Sequence, residues 1–212
     1  EPLVKDISLA IRYAVDNGAD VILLPQQSSF YSSTSKIWMH DALSYAEKKE
    51  VLVVVPVWQA SVDLSKKEYF PSATMFPESE LHNLVTVGCS DSNGLPSVLT
   101  NYGEGLDMFA PGMSLYSTLP GDLYVTVNSA ALGAAVTAGS AAFIKAYFPE
   151  IKGSELRTIL LDNVTDMADE EVEISIMTDS GQINELFLYD QICKSGGIVN
   201  LKKSVESILK NK

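Results

Sequence analysis

Histidine, cysteine and basic residues are scarce in this sequence, and each shortage closes off a class of function. Only two histidines and two cysteines occur in 212 residues, and no Cys/His cluster has metal-ligand spacing. Fifteen Lys and Arg stand against 27 Asp and Glu. The resulting formal charge of -12 would repel both nucleic acid and an anionic membrane. No apolar run reaches the ~18 residues that a membrane span requires. No Pro/Gly/Ser-rich linker, internal repeat or low-complexity tract divides the chain, and 46% apolar content suffices for one sizeable core, so a single domain over 1–212 is expected. The chain opens at Glu1-Pro2 with neither Met nor a signal peptide, as a processed or trimmed chain would. Cys89 and Cys193 read as two buried free thiols, with a disulfide as the other reading; neither has the His neighbourhood of a catalytic thiol.

What is present is a strand–helix alternation. Leu3, Ile7, Ala10, Ile11 and Ala14 form one apolar stripe of a helix that stops at Asn17-Gly18. Ala19 to Leu24 is a nearly continuous apolar run, as in a buried parallel strand. Ser35 to Lys49 reads as a second helix with Trp38, Ala42, Tyr45 and Ala46 inward, and Val51 to Val57 as a second buried strand. Parallel strands need a crossover, so this order predicts an α/β fold. Leu84 to Gly88 and Leu106 to Ala110 give further strands, and Ser154 to Asn163 and Val199 to Leu209 further helices. Val172 to Met177 and Glu185 to Tyr189, joined through Asp179-Ser180-Gly181, read as an antiparallel hairpin with an acidic outer face.

The stretch from Ser129 to Phe148 is the hub. Its only charge is Lys145 and small residues dominate, so a helix buried on all sides is expected, with Ser129 as N-cap and Pro149 as stop. Around it stand Asn101-Tyr102-Gly103, Phe109-Ala110-Pro111-Gly112, Ser117-Thr118, Ser154 to Leu160 and Ser195 to Asn200. This ordered set resembles the C-terminal two-thirds of the subtilisin-like serine peptidases, the subtilases. Ala10 to Ile22, Ala46 to Val55 and Asn83 to Gly88 resemble that family in the same order, from about Ile7 to about Val205. The acidic insert Ala168 to Tyr189 departs from the family pattern. The resemblance implies an α/β fold with a parallel sheet and helices on both faces, subtilisin-like, lacking the N-terminal strands and carrying a small C-terminal β-hairpin.

Subtilase chemistry needs a hydroxyl nucleophile, a His to take its proton, an Asp to orient that His, and a donor for the developing oxyanion. In the family the hub helix opens Gly-Thr-Ser-Met-Ala-Ala-Pro-His-Val-Ala-Gly. Aligning Ala138-Gly139 with its Ala-Gly puts Ala131 at the nucleophile, Ala135 at the Pro and Val136 at the His. Ser129 lies two residues early, which turns its side chain about 200° around the helix. The family's oxyanion Asn falls at Gln59, one methylene longer, with Trp58 in place of a Gly. The substrate-binding Ser-Phe-Gly becomes Pro25-Gln26-Gln27, and Pro25 has no N–H to offer an extended peptide. The family's Asp strand and His helix belong upstream of the matched region. His40 and His82 read as surface or edge residues.

These simultaneous replacements imply a subtilase fold without proteolysis. The cleft candidates are Pro25, Gln26, Gln27, Trp58, Gln59 and Ser129, with Ala131 and Gln59 as degenerate catalytic positions. Three functions compete: a noncatalytic domain that still holds peptide or protein, a serine endopeptidase completed by segments from elsewhere, and a plain structural module. No cofactor is expected; calcium, common among subtilases, cannot be assigned to residues here. The acids Asp166, Asp169, Glu170 and Glu171 read as a solvated face. The resemblance leaves the strand Ala19 to Leu24 as an open apolar edge, so a missing N-terminal portion or self-association is expected to cover it. It also implies an extracytoplasmic location.

Overall fold

Turn and cap residues mark where each element of the chain begins and ends. The computed structural model describes residues 4–26, 31–67, 69–73, 80–178 and 180–210. Helix α1 (Val4–Asp16) ends where Gly18 adopts a φ of 83°, and the chain turns into strand β1 (Val21–Leu23). Helix α2 (Ser33–Lys48) starts at Ser32, whose hydroxyl accepts the Ser35 N–H. Strands β2 (Leu52–Pro56), β3 (Leu84–Ser90) and β4 (Met108–Pro111) follow. Next comes a ribbon of β5 (Leu115–Leu119) and β6 (Leu123–Val127). Helices α3 (Ala130–Tyr147) and α4 (Gly153–Asp162) precede the short strand β7 (Thr165–Asp166). A hairpin of β8 (Glu171–Thr178) and β9 (Gly181–Leu188) leads to α5 (Tyr189–Ile192), β10 (Gly197–Ile198) and α6 (Leu201–Lys210).

The main sheet has the order β1-β2-β3-β4-β10-β7. All of its pairs are parallel except β10 with β7. Alternation along β2 sorts two cores. Val53 and Val55 face α1 and α2, packing with Ile11, Val15, Met39, Leu43 and Ala46. Leu52 and Val54 face α3, α4 and α6, packing with Ala134, Ala138, Ile144, Leu156 and Leu160. Each of the Val, Leu, Ile and Met side chains among these, withdrawn from water, stabilises the fold by ~1.5–3 kcal/mol, and each alanine by less. A third cluster lies under the β8–β9 hairpin, where Phe109 and Leu106 meet Val172, Ile174 and Tyr189.

One buried charge ties these layers together. The Asp107 side chain is 3% exposed; its carboxylate accepts the Arg157 Nη2–H at 2.8 Å and lies 3.8 Å from the Lys194 ammonium. It also accepts the Thr86 N–H at 2.9 Å, while Arg157 Nε donates to the Leu84 carbonyl at 2.8 Å. With so many donors the anion is compensated despite its burial.

The structure corrects several expectations from sequence. α3 is buried on one face alone: Ala130, Gly133, Ala134, Thr137, Ala138, Ala141 and Ile144 pack inward, whereas Val136, Phe143 and Tyr147 are exposed. Among the described residues it packs chiefly on the sheet, with a smaller contact to α6. On α2 the inward face is Met39, Ala42, Leu43 and Ala46, and Trp38 is 44% exposed. Ala10 is exposed on α1, where Ser8 takes the inward place and its hydroxyl is satisfied by the Val4 carbonyl at 2.8 Å; Leu3 lies outside the described residues. The β8–β9 hairpin is longer than its apolar core suggests, because cross-strand pairing continues to Thr178 and Gly181; Asp179, at its tip, lies outside the described residues. Its outer surface mixes Glu171 and Glu173 with exposed Met177 and Leu186, so it is less uniformly acidic than expected.

Candidate functional site

The carboxyl ends of β1 to β4 and the first turn of α3 meet at one end of the sheet, the usual place for a site in open α/β folds. Two glycines let them meet closely. A Cβ on Gly112 would lie 2.5 Å from the Cys89 Cβ and 2.7 Å from the Ser129 carbonyl oxygen. A Cβ on Gly133 would lie 3.0 Å from the Gly88 carbonyl oxygen and 3.2 Å from that of Ala110. The helix start is therefore seated directly on the backbone of β3 and β4.

Ser129 is held as the helix cap. Its N–H donates to the Gly112 carbonyl at 2.8 Å, and its hydroxyl accepts the Ala131 N–H at 3.2 Å. Ala131 follows in the first turn with its methyl partly exposed. Across Cys89 stands Gln59, whose Nε2 donates to the Cys89 sulfur at 3.0 Å. Burial pushes the Cys89 thiol up to about 11, so it stays protonated near neutrality and is a poor nucleophile. Cys193 is likewise free and buried, and burial pushes it up to about 11.

The loop that carries Gln59 is clamped by Asn101, which is 0% exposed. Its Oδ1 accepts the N–H groups of Ala60 and Val62, both at 3.0 Å, and its own N–H donates to the Trp58 carbonyl at 3.3 Å. Ser61, between them, takes a left-handed φ of 53°. That conformation is costly for a residue with a Cβ and is sustained by the clamp and by the Ser61 N–H bond to Leu99 O at 2.9 Å. Trp58 is 51% exposed on the rim.

Of the residues singled out in the sequence, Gln59, Ser129 and Ala131 are brought together around Cys89. Trp58 adjoins them on its loop. Pro25 and Gln26 are exposed beyond the end of β1, on the neighbouring strand; Gln27 lies outside the described residues. His40 sits on α2, on the opposite face of the sheet from α3. His82 precedes β3, at the opposite end of that strand from Cys89. Cys89 and Asn101 were not expected as site-shaping residues. The signal available for Asn101 was a polar side chain in a motif flanked by predicted core; for Cys89 there was only its place late in an apolar run. Among the described residues no three His, Cys, Asp or Glu side chains are grouped to hold a metal.

A sequence model of the Subtilase family matches residues 4–177. Subtilisin BL of Lederbergia lenta is 27% identical over 164 residues, 77% of this chain and 56% of that protein. Subtilisin DY of Bacillus licheniformis is 26% identical over 159 residues, 75% of this chain and 54% of its own length. The chain thus spans about half the length of these curated relatives. Among solved structures, the self-cleaved protease domain of PatA superposes with a TM-score of 0.73 at 18% identity, covering 98% of this chain and 68% of that one. The prenylagaramide maturation protease PagA gives 0.70 at 18% identity, over 96% and 66%. At that identity these two likenesses speak to the fold alone.

Proposed function

This chain belongs to the Subtilase family, and on that premise we propose that it is a member that has lost peptide cleavage and serves as a noncatalytic binding domain. The observation that carries the reading is the hydrogen bond from Gln59 Nε2 to Cys89 Sγ at 3.0 Å. Gln59 stands where the family's oxyanion donor belongs, and one of its two amide hydrogens is engaged by the Cys89 sulfur instead of a substrate carbonyl, which holds the amide against the structure. A hydrogen held by the sulfur cannot stabilise charge that develops on a carbonyl. Ala131 supplies a methyl where the attacking oxygen belongs, and the hydroxyl of Ser129 is engaged in capping α3. Attack on a carbonyl also needs a base within reach of the nucleophile. His40 lies across the sheet, and His82 lies at the far end of β3.

What remains is an exposed stretch at the ends of the paired strands β1 and β2, with Pro25, Gln26, Trp58 and Gln59, suited to holding an extended peptide or a protein surface without turning it over. The exposed Trp58 ring gives such a site an apolar anchor. An extracytoplasmic location is proposed with this reading, on family resemblance. A titration of Trp58 fluorescence with an array of unstructured peptides, with cleavage followed by mass spectrometry in the same wells, tests the proposal. Binding without products is expected. Products that disappear in Gln59→Ala or Ser129→Ala would overturn it.

A second reading, a serine endopeptidase whose triad is completed by segments outside these residues, is favoured by the names of its relatives and by the half of their length that the chain does not span. It predicts turnover by the full reading frame and none by residues 1–212.

A further inference from the structure

On the face of the sheet opposite α3, the two covering helices leave a groove between them. α1 and α2 each precede one of two parallel strands and pack on the same face, so they run side by side in the same direction. The groove, of about 260 Å³, is lined by Lys5, Ser8, Leu9 and Arg12 of α1 and by Trp38 and Asp41 of α2. Lys5, Leu9 and Arg12 stand at i, i+4 and i+7, one face of a helix, and span about 10 Å along its axis. Arg12 lies over the Tyr45 ring at 5.1 Å. Lys5 and Trp38 each precede that level by seven residues, so the indole comes level with the Lys5 end of the groove.

Its middle is apolar and its charges are open. Leu9 is 55% and Trp38 44% exposed, so two large apolar side chains face each other across unfilled space. Ser8 is buried beneath them, its hydroxyl hydrogen given to the Val4 carbonyl at 2.8 Å. Among the described residues the side chains of Lys5 and Asp41 make no hydrogen bond or ion pair, and the Arg12 guanidinium has only the Tyr45 ring. That ring is itself anchored, because the Tyr45 hydroxyl donates to the Asp16 carboxylate. Arg12 is therefore held in position with its N–H donors unused. Two cations against the one anion, Asp41, leave the groove at +1 on a chain whose formal charge is -12.

We infer that this groove is a second binding site, for the carboxyl terminus of a peptide that ends in a large apolar residue. The terminal side chain lies between Leu9 and Trp38, and the terminal carboxylate takes the fork of N–H donors on Arg12. Asp41 accepts the backbone N–H of the same residue, and Lys5 adds attraction from the far end. Charge selects this occupant. A peptide terminus brings -1 to a groove of +1, whereas a free amino acid is neutral overall, and an amine alone is repelled by the two cations. Size agrees, because the volume lies below the roughly 300–1,000 Å³ of sites that enclose a whole drug-sized ligand and suits one terminal residue. The groove lies on a helical layer away from the ends of the strands, so the inference is independent of what the site there binds or cleaves.

Calorimetric titration of the chain with N-acetyl-L-phenylalanine, the smallest terminus of this kind, is the test. A dissociation constant of about 1 mM is expected from the few atoms that the probe brings. N-acetyl-L-phenylalaninamide, which lacks the carboxylate, should bind at least about 10-fold more weakly, as should the acid to Arg12→Gln or Trp38→Ala. 3-Phenylpropionate keeps the ring and the carboxylate without the N–H, and Asp41→Asn should shrink the preference for N-acetyl-L-phenylalanine over it. The comparison of acid with amide is made on the unaltered chain, so it decides the matter whatever a substitution does to folding. Absence of heat up to about 20 times the expected constant would overturn the inference. Equal affinity for acid and amide, unchanged affinity in Arg12→Gln or Trp38→Ala, or a preference that Asp41→Asn leaves intact would do the same. Tighter binding of free phenylalanine would assign the groove to an amino acid and overturn it as well.

Discussion

Gly133 and Gly139 lie on the same helix and face opposite conditions. At Gly133 a Cβ would press on the backbone carbonyls of Gly88 and Ala110 at 3.0 and 3.2 Å, whereas at Gly139 it would meet nothing within 4 Å. The first glycine exists because two backbones touch. The second stands in a stripe that nothing among the described residues covers. One helix thus has a finished side, which fixes the site through Gly112 and Cys89, and an unfinished side, which continues to the edge of β1. The difference shows that apolar composition alone does not report burial: both faces are equally free of charge, and only one is packed.

Substitutions can break this contrast. The largest effect is expected at Ile144, fully buried on the finished side: Ile144→Ala should cost about 2–5 kcal/mol in chemical denaturation, while Phe143→Ala, next to it on the open side, should stay within about 0.5 kcal/mol. Should the two cost the same in residues 1–212, the two-faced description fails. Gly133→Ala should destabilise by about 1–3 kcal/mol, since the carbonyls it meets belong to the sheet and cannot move aside singly. Ser129→Ala should lose about 1 kcal/mol of helix capping with no change in any peptide-binding signal from Trp58. Gly139→Ala is expected to stabilise by about 0.5–1 kcal/mol, the ordinary gain for removing an exposed helical glycine.

Alkali acts on the buried thiols, Cys89 on the finished side and Cys193 under the β8–β9 hairpin. Burial raises the Cys89 thiol from 9.0 to about 11, so the folded state holds its proton more tightly than the unfolded chain. Its contribution is complete below pH 9 and disappears as pH rises toward 11. Midpoints of denaturation should therefore fall across that window, and less so in Cys89→Ala.

Much of this architecture is legible in the residues. The bounds of α3 follow from the Ser129 hydroxyl and Pro149, and β2 and β3 announce themselves as apolar runs because both of their faces are covered. The β5–β6 ribbon did not stand out. Its strands alternate weakly, with Tyr116 and Tyr124 exposed, and its turn depends on Gly121 and Asp122 both taking positive φ. Helical periodicity tolerates a one-residue rotation, so the pattern that points Trp38 inward is met in the structure by the adjacent Met39, which fills the core. At the site, Ala131 and Gln59 could be located by alignment along the chain. That Gln59 spends an N–H on Cys89 could not, because the two lie thirty positions apart and meet only when β2 and β3 pair.

Intact-mass analysis of the chain after exposure to a serine-directed fluorophosphonate tests the central claim most directly. With a methyl at residue 131 and the Ser129 hydroxyl committed to capping, the mass should remain unchanged. A single adduct that maps to Ser129, and is lost when the protein is unfolded before labelling, would contradict the account.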